Sequence, residues 1–319
     1  VHRAINTGTY VTGALAILGG FLLVQYYLKD MSLFWAVLAG PLAGILVGIA
    51  SEYFTSDEKK PVRRLAESAK TGPATIVIGG LAIGMRSTML PILITSGAVI
   101  LAYHFGGLYG VALSAVSMLS ISGMTIAVDA YGPVADNAGG IAQMAGLPEE
   151  VRKVTDALDA VGNTTAAITK GFDISAAALT ALALFAAYAE TASLKLIDML
   201  SPYVIVGMLV GGALPFLFTA EALDSVGRAA GHMIEEVRRQ FREIPGLREG
   251  KARPEYARCV DISTKAALRE MIIPGVIALA APILVGLILG KEALGGMLGG
   301  SLITGMMLAL FLSNSGGAW

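Results

Sequence analysis

The sequence has few charged residues for its length. Asp, Glu, Lys and Arg make up 15% of its 319 residues, whereas a soluble domain carries roughly 25%. Hydrophobic residues make up 55%, and the mean hydropathy is +0.69. The net charge is −1, so electrostatics give no case for a nucleic-acid partner. The composition therefore predicts a chain embedded in a lipid bilayer.

Cysteine and histidine are also scarce. Cys259 is the single cysteine, which excludes an internal disulfide bond. With three histidines in total, a Cys/His zinc cluster is excluded as well. The sequence starts at Val1 rather than at Met, and an uncharged stretch from Ala293 runs up to Trp319. We expect the chain to be an internal segment of a longer protein.

Long apolar runs recur along the chain. About 20 apolar residues cross a hydrocarbon core of about 30 Å. Uncharged stretches of about this length cover residues 11–28, 32–50, 105–128, 174–189, 199–220, 271–290 and 293–319. An eighth, residues 71–103, is broken only by Arg86. We predict an all-α fold, a polytopic bundle of about eight transmembrane helices, with residues 1–319 forming a single transmembrane domain segment.

Basic residues indicate the orientation of these helices. They cluster in connections near residues 51–72, 146–156 and 228–258, whereas the alternate connections are short and hold three lysines and no arginine. Positive residues stay on the cytoplasmic side of a membrane. The three basic connections are therefore predicted to be cytoplasmic loops.

The last basic connection also has local patterns. Its Pro and Gly residues predict a loop over residues 238–258. Asp261 and Lys265 are four residues apart, which predicts an ion pair on a helix face. Glu235 and Arg239 have the same spacing and receive the same interpretation.

Two polar stripes occur on consecutive predicted helices. Asp129 and Asp136 are seven residues apart and share one helix face. The next helix has a second set on one face: Asp156, Asp159, Asn163 and Lys170. We expect both stripes at the same cytoplasmic depth. Carboxylate and amide oxygens suit Mg²⁺, which is often shared with substrate phosphates, and a lysine suits an anion. The stripes predict metal-assisted phosphoryl chemistry.

The helix macrodipole can account for some of these side chains, so that no functional role is needed for them. A carboxylate near a helix N-terminus complements the macrodipole, which accounts for Asp156. Asp136 lies toward a helix C-terminus, where the dipole disfavours a carboxylate. Asn163 and Lys170 lie within a helix that soon becomes apolar, where polar and ionisable groups are costly. The pattern therefore favours a function for Asp136, Asn163 and Lys170.

Two alternative functions remain open at this point. Polar stripes and helices interrupted by Gly or Pro are typical of secondary transporters. That interpretation predicts a site near the bilayer midplane, whereas Asp136 and Asn163 lie toward the cytoplasm. The other alternative is a non-catalytic structural membrane segment.

Three long motifs occur in a fixed order along the chain. They are residues 129–144 (DAYGPVADNAGGIAQM), residues 162–172 (GNTTAAITKGF) and residues 313–319 (SNSGGAW). In these motifs the chain resembles the membrane-integral inorganic pyrophosphatases, which are ion pumps driven by pyrophosphate. The resemblance covers the whole chain. It implies a homodimer with sixteen transmembrane helices per subunit in two rings, of which this chain resembles helices eight to fifteen.

The resemblance implies roles for individual residues. Asp136 resembles a ligand of catalytic Mg²⁺, and Asn163 resembles a residue that contacts both Mg²⁺ and pyrophosphate. Lys170 lies in the same motif as Asn163 and is expected to be catalytic with it. The matching positions near the cytoplasmic funnel, without individual roles, are Asp129, Asp156 and Asp159.

Potassium dependence is implied by one position. Family members that need K⁺ have Ala where this chain has Ala166, and K⁺-independent members have Lys, so the resemblance implies K⁺ as an activator. Three residues on, the K⁺-dependent group has a small residue, and Thr169 departs from that pattern. The choice between Na⁺ and H⁺ depends on an upstream Glu that is not among these residues.

The resemblance as a whole implies an ion-pumping pyrophosphatase. It would couple hydrolysis of magnesium pyrophosphate in a cytoplasmic funnel to transport of Na⁺ and/or H⁺ across a prokaryotic plasma membrane. In the family, most magnesium ligands lie upstream of the matching region, and the third motif continues past the position of Trp319. We therefore expect the partial chain alone to be inactive.

Overall fold

The computed structural model describes the backbone of residues 2–319 and the side chains of residues 7–162 and 164–319. Its helices are α1 (His2–Leu23), α2 (Leu33–Thr55), α3 (Lys60–Ser68), α4 (Pro73–Ser87), α5 (Met89–Leu119), α6 (Ser122–Met144), α7 (Glu149–Thr191), α8 (Pro202–Glu243), α9 (Tyr256–Glu270), α10 (Ile272–Leu289) and α11 (Lys291–Ala318). Over this range the chain forms helices and no strands. The all-α prediction is confirmed.

Seven helical segments of the described chain are long and apolar enough to cross a membrane. One of them, residues 73–119, is folded into a hairpin at Gly107, whose φ of 58° and ψ of −149° are not helical. A Cβ built on Gly110 would overlap the carbonyl oxygen of Ala102, although eight residues of continuous helix rise about 12 Å. The chain therefore reverses at Gly107, and this segment supplies two of the eight predicted spans.

The chain divides into two compact units. The first comprises Val1–Ser193 and Met306–Trp319, and the second comprises Leu194–Gly305. Helix α11 contributes its first part to the second unit and its last part to the first. The single transmembrane domain segment expected from the sequence stays a prediction.

Small residues of α2 allow close packing in the first unit. A Cβ on Gly40 would overlap the carbonyl oxygen of Ser114, and one on Gly44 would overlap the ring of Phe172. Bilayer helices use such residues because a missing side chain lets two backbones approach. The main buried cluster lies around this contact: Ala36, Ala102, Val111, Ala115, Met118, Ile121, Phe172, Ala176 and Leu179.

The predicted loops are shorter than expected. Helix α8 continues to Glu243 and α9 begins at Tyr256, so the loop prediction over residues 238–258 was wrong at both ends. The helix persists because Glu236 and Gln240 are buried on it, 5% and 3% exposed, and hydrogen-bond each other at 2.8 Å. Helix also occupies part of the two other basic connections, as α3 and as the first turns of α7.

The packing of α2 predicts how two glycine substitutions will differ. In Gly40→Ala the methyl group overlaps Ser114, so the free energy of unfolding should fall by about 1–3 kcal/mol. Gly97→Ala is the matched control, because nothing lies within 4 Å of a Cβ there. It should be neutral or stabilising by up to about 1 kcal/mol through helix propensity. Unfolding of both variants by SDS titration in detergent measures the difference, and equal stabilities would contradict the packing.

Candidate functional site

Helices α6 and α7 form an antiparallel pair that carries both polar stripes. Three contacts mark their seam, each seven residues from the next on both helices: Thr125 with Thr169, Gly132 with Gly162, and Gly139 with Thr155. At the middle contact a Cβ on Gly132 would lie 3.0 Å from the carbonyl oxygen of Gly162. A seven-residue repeat of contacts is the geometry of a coiled coil, and paired glycines let the backbones approach closely.

This register brings the stripes to one side of the seam. Asp129 and Asp136 each follow a contact residue of α6 by four positions, which is about 40° past a full turn. On α7, Asp159 and Ala166 follow contact residues by the same number. In an antiparallel pair, equal steps along the two chains turn both helices toward the same side. The four positions therefore face one common space.

The remaining stripe positions lie further round on that same side. On α7, three residues each follow a contact residue by one position: Asp156, Asn163 and Lys170. The backbone of Asn163 is helical, and its side chain lies outside the described residues. On the other side of the seam, the hydroxyl of Tyr131 donates to the carbonyl oxygen of Leu158 at 3.1 Å. One side is thus bridged by a tyrosine, while the other presents the acidic positions.

The stripes are spread along the helix axes. Asp159 Cβ lies 4.0 Å from a Cβ built on Gly139, which is three residues beyond Asp136, so the two carboxylates are near one level. Lys170 adjoins Thr169, whose partner Thr125 precedes Asp136 by eleven residues, a rise of about 17 Å. The structure does not bring Lys170 beside Asp136, and its catalytic role stays a prediction.

The acidic side of the seam has little local charge compensation. Asp136 and Asp156 are exposed, and Asp129 is half-buried. None of these three carboxylates has a salt bridge to any side chain that the structure describes. Lys153 pairs with Glu149 at 3.0 Å at the start of α7. The seam therefore presents uncompensated negative charge.

The seam carboxylates meet part of what a bound Mg²⁺ requires. Carboxylate oxygens are its preferred ligands, but the described residues contain no group of three or more His, Cys, Asp or Glu that could hold a metal ion. A magnesium ion shared with phosphate takes one or two protein carboxylates and keeps several waters. Asp136 and Asp159 offer that number at one level. The seam thus fits a shared Mg²⁺ and not a metal cage built by these residues alone.

The third motif packs against α4 within the first unit. Asn314 Nδ2 donates to Ser87 Oγ at 2.9 Å, and Trp319 Nε1 donates to the carbonyl oxygen of Ile76 at 3.0 Å. A Cβ on Gly80 would overlap the Trp319 indole. This contact was missed from the sequence, although Gly80 and Gly84 have the four-residue spacing that marks close helix packing. The motif is therefore anchored by the Ser87 hydroxyl, by the carbonyl oxygen of Ile76 and by close packing on Gly80.

Comparison with known proteins assigns the family. The sequence model of the inorganic H⁺ pyrophosphatases matches residues 1–319. The chain belongs to the inorganic H⁺ pyrophosphatase family. The resemblance inferred from the three motifs is confirmed.

Curated relatives of this family member differ in their named ions. A protein of Clostridium tetani (strain Massachusetts / E88) named "Putative K(+)-stimulated pyrophosphate-energized sodium pump" is 53% identical over 326 aligned positions, covering 100% of this chain and 48% of the relative. A "K(+)-insensitive pyrophosphate-energized proton pump" of Methanosarcina mazei is 47% identical, covering 100% and 49%. One of the same name from Caldanaerobacter subterraneus subsp. tengcongensis is 44% identical, covering 99% and 48%. The chain spans about half the length of these relatives.

The two positions that the resemblance links to potassium dependence, Ala166 and Thr169, differ in environment. Ala166 is half-buried on the acidic side of the seam. Thr169 is 1% exposed, and its hydroxyl donates to the carbonyl oxygen of Thr125 at 3.2 Å. The side chain that departs from the potassium-dependent pattern is thus part of the seam itself.

The register of α6 and α7 can be tested by cross-linking. In the family member with Cys259→Ser, the pair Gly139→Cys and Asp159→Cys should oxidise to a disulfide, because the two Cβ positions are 4.0 Å apart. Gly140→Cys with Asp159→Cys is the matched control, since nothing lies within 4 Å of a Cβ at Gly140. Gel mobility after mild oxidation and proteolysis between the helices measures the cross-link. Equal cross-linking of the two pairs would rule out this register.

Proposed function

We propose that the whole protein is an ion-pumping pyrophosphatase. It hydrolyses magnesium pyrophosphate in a funnel on the acidic side of the α6–α7 seam and couples this to transport of Na⁺ and/or H⁺ across the membrane. The observation that carries the proposal is the seam register, which gives the carboxylates of the first motif and those of α7 just before the second motif one common side. The relatives' names, which combine pyrophosphate with sodium or proton pumping, support it.

Charge explains why such a funnel needs magnesium. Asp129, Asp136 and Asp156 carry negative charge without a salt bridge to a described cation. Bare pyrophosphate, itself an anion, would be repelled from that surface. When bound, Mg²⁺ neutralises phosphate charge and polarises the phosphoryl oxygens. Asp136, with Asp159 at its level, would hold the metal, and Asn163 would contact metal and pyrophosphate as the resemblance implies.

Lys170 lies away from the proposed metal site. It lies about 17 Å of helix rise from Asp136, too far to contact a phosphate group that shares a metal ion with Asp136. Its side chain is exposed. We assign its charge to the inner end of the funnel, where an ammonium group stabilises anionic groups. Asp129 would line the funnel between the level of Asp136 and that of Lys170.

Helix α7 offers a direct route for coupling. It is one helix of 43 residues, Glu149–Thr191, which corresponds to about 64 Å of length against a hydrocarbon core of about 30 Å. A single rigid element therefore extends from the proposed funnel through the bilayer. Movement of α7 against α6 would transmit the chemical step to an ion within the membrane.

The orientation and the assembly complete the proposal. The basic connections support a cytoplasmic funnel, since positive residues stay on that side. The relatives come from bacteria and an archaeon, which supports a prokaryotic plasma membrane. The homodimer rests on the family resemblance alone.

Substitution of Asp136 tests the site. In membranes containing the whole protein, magnesium-dependent phosphate release from pyrophosphate should fall at least about a hundredfold in Asp136→Asn, the equivalent of about 2.7 kcal/mol of lost transition-state stabilisation. Glu149→Gln is the matched control, because Glu149 is exposed and pairs with Lys153 at the start of α7. Its activity should equal that of the wild type.

Three results would count against the proposal. Full activity in Asp136→Asn would remove this residue from the site. Absence of magnesium-dependent hydrolysis in the wild type, together with solute uptake driven by an ion gradient, would favour a secondary transporter. Absence of both would favour a non-catalytic structural segment.

Ala166 predicts a response to potassium. K⁺ should raise phosphate release by the wild type above the rate in choline at equal ionic strength, and Ala166→Lys should abolish the difference because its ammonium supplies the charge of the bound cation. A wild type that responds equally to K⁺ and choline would contradict Ala166 as the determinant. In that case the departure at Thr169 from the small residue of the potassium-dependent group would be the better guide to potassium dependence.

A further inference from the structure

We infer that three arginines at the end of α8 form a binding site for a soluble anion that carries phosphate groups. Arg238, Arg242 and Arg248, together with Phe241, line a surface depression of about 450 Å³. This lies within the range of about 300–1,000 Å³ that small-molecule sites occupy. The inference does not depend on the proposed enzymatic activity.

The sequence builds this pocket from a helix end and a reversed loop. Arg238 and Arg242 are four residues apart, on one face of the last turns of α8. The following loop turns at Gly246 and Gly250, whose φ values are 82° and 68°. These left-handed conformations suit glycine and direct the chain back on itself. Arg248, between the two glycines, thereby lines the same depression as the helix arginines.

Three of the five nearby carboxylates are engaged by other arginines, whereas Glu235 and Glu249 have no salt bridge among the described residues and do not line the depression. Arg239 contacts Glu236 at 2.7 Å, Glu243 at 2.9 Å and Glu255 at 2.5 Å. Arg258 contacts Glu236 from the other direction at 3.0 Å. These three carboxylates and two guanidinium groups form one ion-pair network with a formal charge of −1. The carboxylates of this network are therefore paired with Arg239 and Arg258 and not with the three arginines of the pocket.

The pocket arginines have no such partners. In the described part of the chain, no salt bridge within 4.0 Å involves Arg238, Arg242 or Arg248, and all three are exposed. Like charges four residues apart on a helix repel each other. The planar guanidinium group binds phosphate oxygens through two parallel hydrogen bonds. A bound phosphate anion would therefore relieve the repulsion and use the donors.

The helix dipole explains only part of this arrangement. Cations in the last turn of a helix complement its negative end, which would account for Arg242 and, one turn earlier, Arg238. Arg248 lies beyond Glu243, where α8 ends. Its return to the same depression is not required by the dipole. The convergence of all three is the feature that a ligand explains.

Distance along α8 favours a soluble anion over a lipid headgroup. The uncharged stretch of this helix ends at Ala220, and Arg238 follows eighteen residues later, a rise of about 27 Å. Attraction to a charged bilayer surface falls off within a Debye length of about 8 Å at physiological ionic strength. A di- or triphosphate in solution reaches the pocket without that restriction.

Equilibrium dialysis of the whole protein tests the site. The protein is held in discs of neutral lipid with EDTA and radiolabelled tripolyphosphate as the probe. The triple variant should bind tripolyphosphate at least about tenfold more weakly than the wild type does, because charge-assisted contacts are lost. It carries Arg238→Gln, Arg242→Gln and Arg248→Gln. The loop variant Arg248→Gln, which leaves α8 unchanged, should show a smaller loss.

The control variant carries the same charge change elsewhere. It is Arg63→Gln/Arg64→Gln/Arg152→Gln, three exposed arginines outside the pocket, and it should bind like the wild type. Equal binding by the pocket variant and the wild type would overturn the inference, as would an equal loss in the control. A second set of discs contains anionic phosphatidylglycerol. Displacement of tripolyphosphate by that lipid would overturn the choice of a soluble ligand.

Discussion

The close approach of α6 and α7 at Gly132 and Gly162 is the contact on which the candidate site depends. Because neither residue has a side chain, the two backbones meet directly, and the contacts one heptad away on either side follow from that meeting. The register then determines which acidic positions share a side and at what level. A larger residue at either glycine would displace every carboxylate of one helix relative to the other.

Periodicity was enough to find a polar stripe on one face of each helix. A spacing of seven on α6 and of three, seven and fourteen on α7 specifies angles around an axis. It does not specify axial position, which depends on where two antiparallel helices meet. For this reason the sequence placed both stripes at one cytoplasmic depth and could not show that Lys170 lies about 17 Å along the axis from Asp136. The contact between Gly132 and Gly162 determines this axial position.

Sequence spacing predicts some ion pairs correctly, whereas others depend on which carboxylate is buried. The pairing of Asp261 with Lys265 follows from spacing and is confirmed at 2.8 Å. The pairing of Glu235 with Arg239 was wrong, because Arg239 bonds to Glu236 instead. Glu236 is the buried neighbour, and a buried carboxylate without a cation is costly. Spacing identifies possible partners, whereas the buried face of α8, set by its packing on α9, selects among them.

Thr169 connects two properties that are usually treated as separate. Its hydroxyl is one of three contacts that hold α6 against α7, and its position belongs to the pair that distinguishes potassium-dependent from potassium-independent relatives by resemblance. A substitution that removes its hydroxyl would remove this hydrogen bond between α6 and α7. A change of potassium response made through position 169 would therefore also alter the contact between the two helices, and a new side chain at position 125 could not restore the lost bond because the acceptor is a backbone carbonyl.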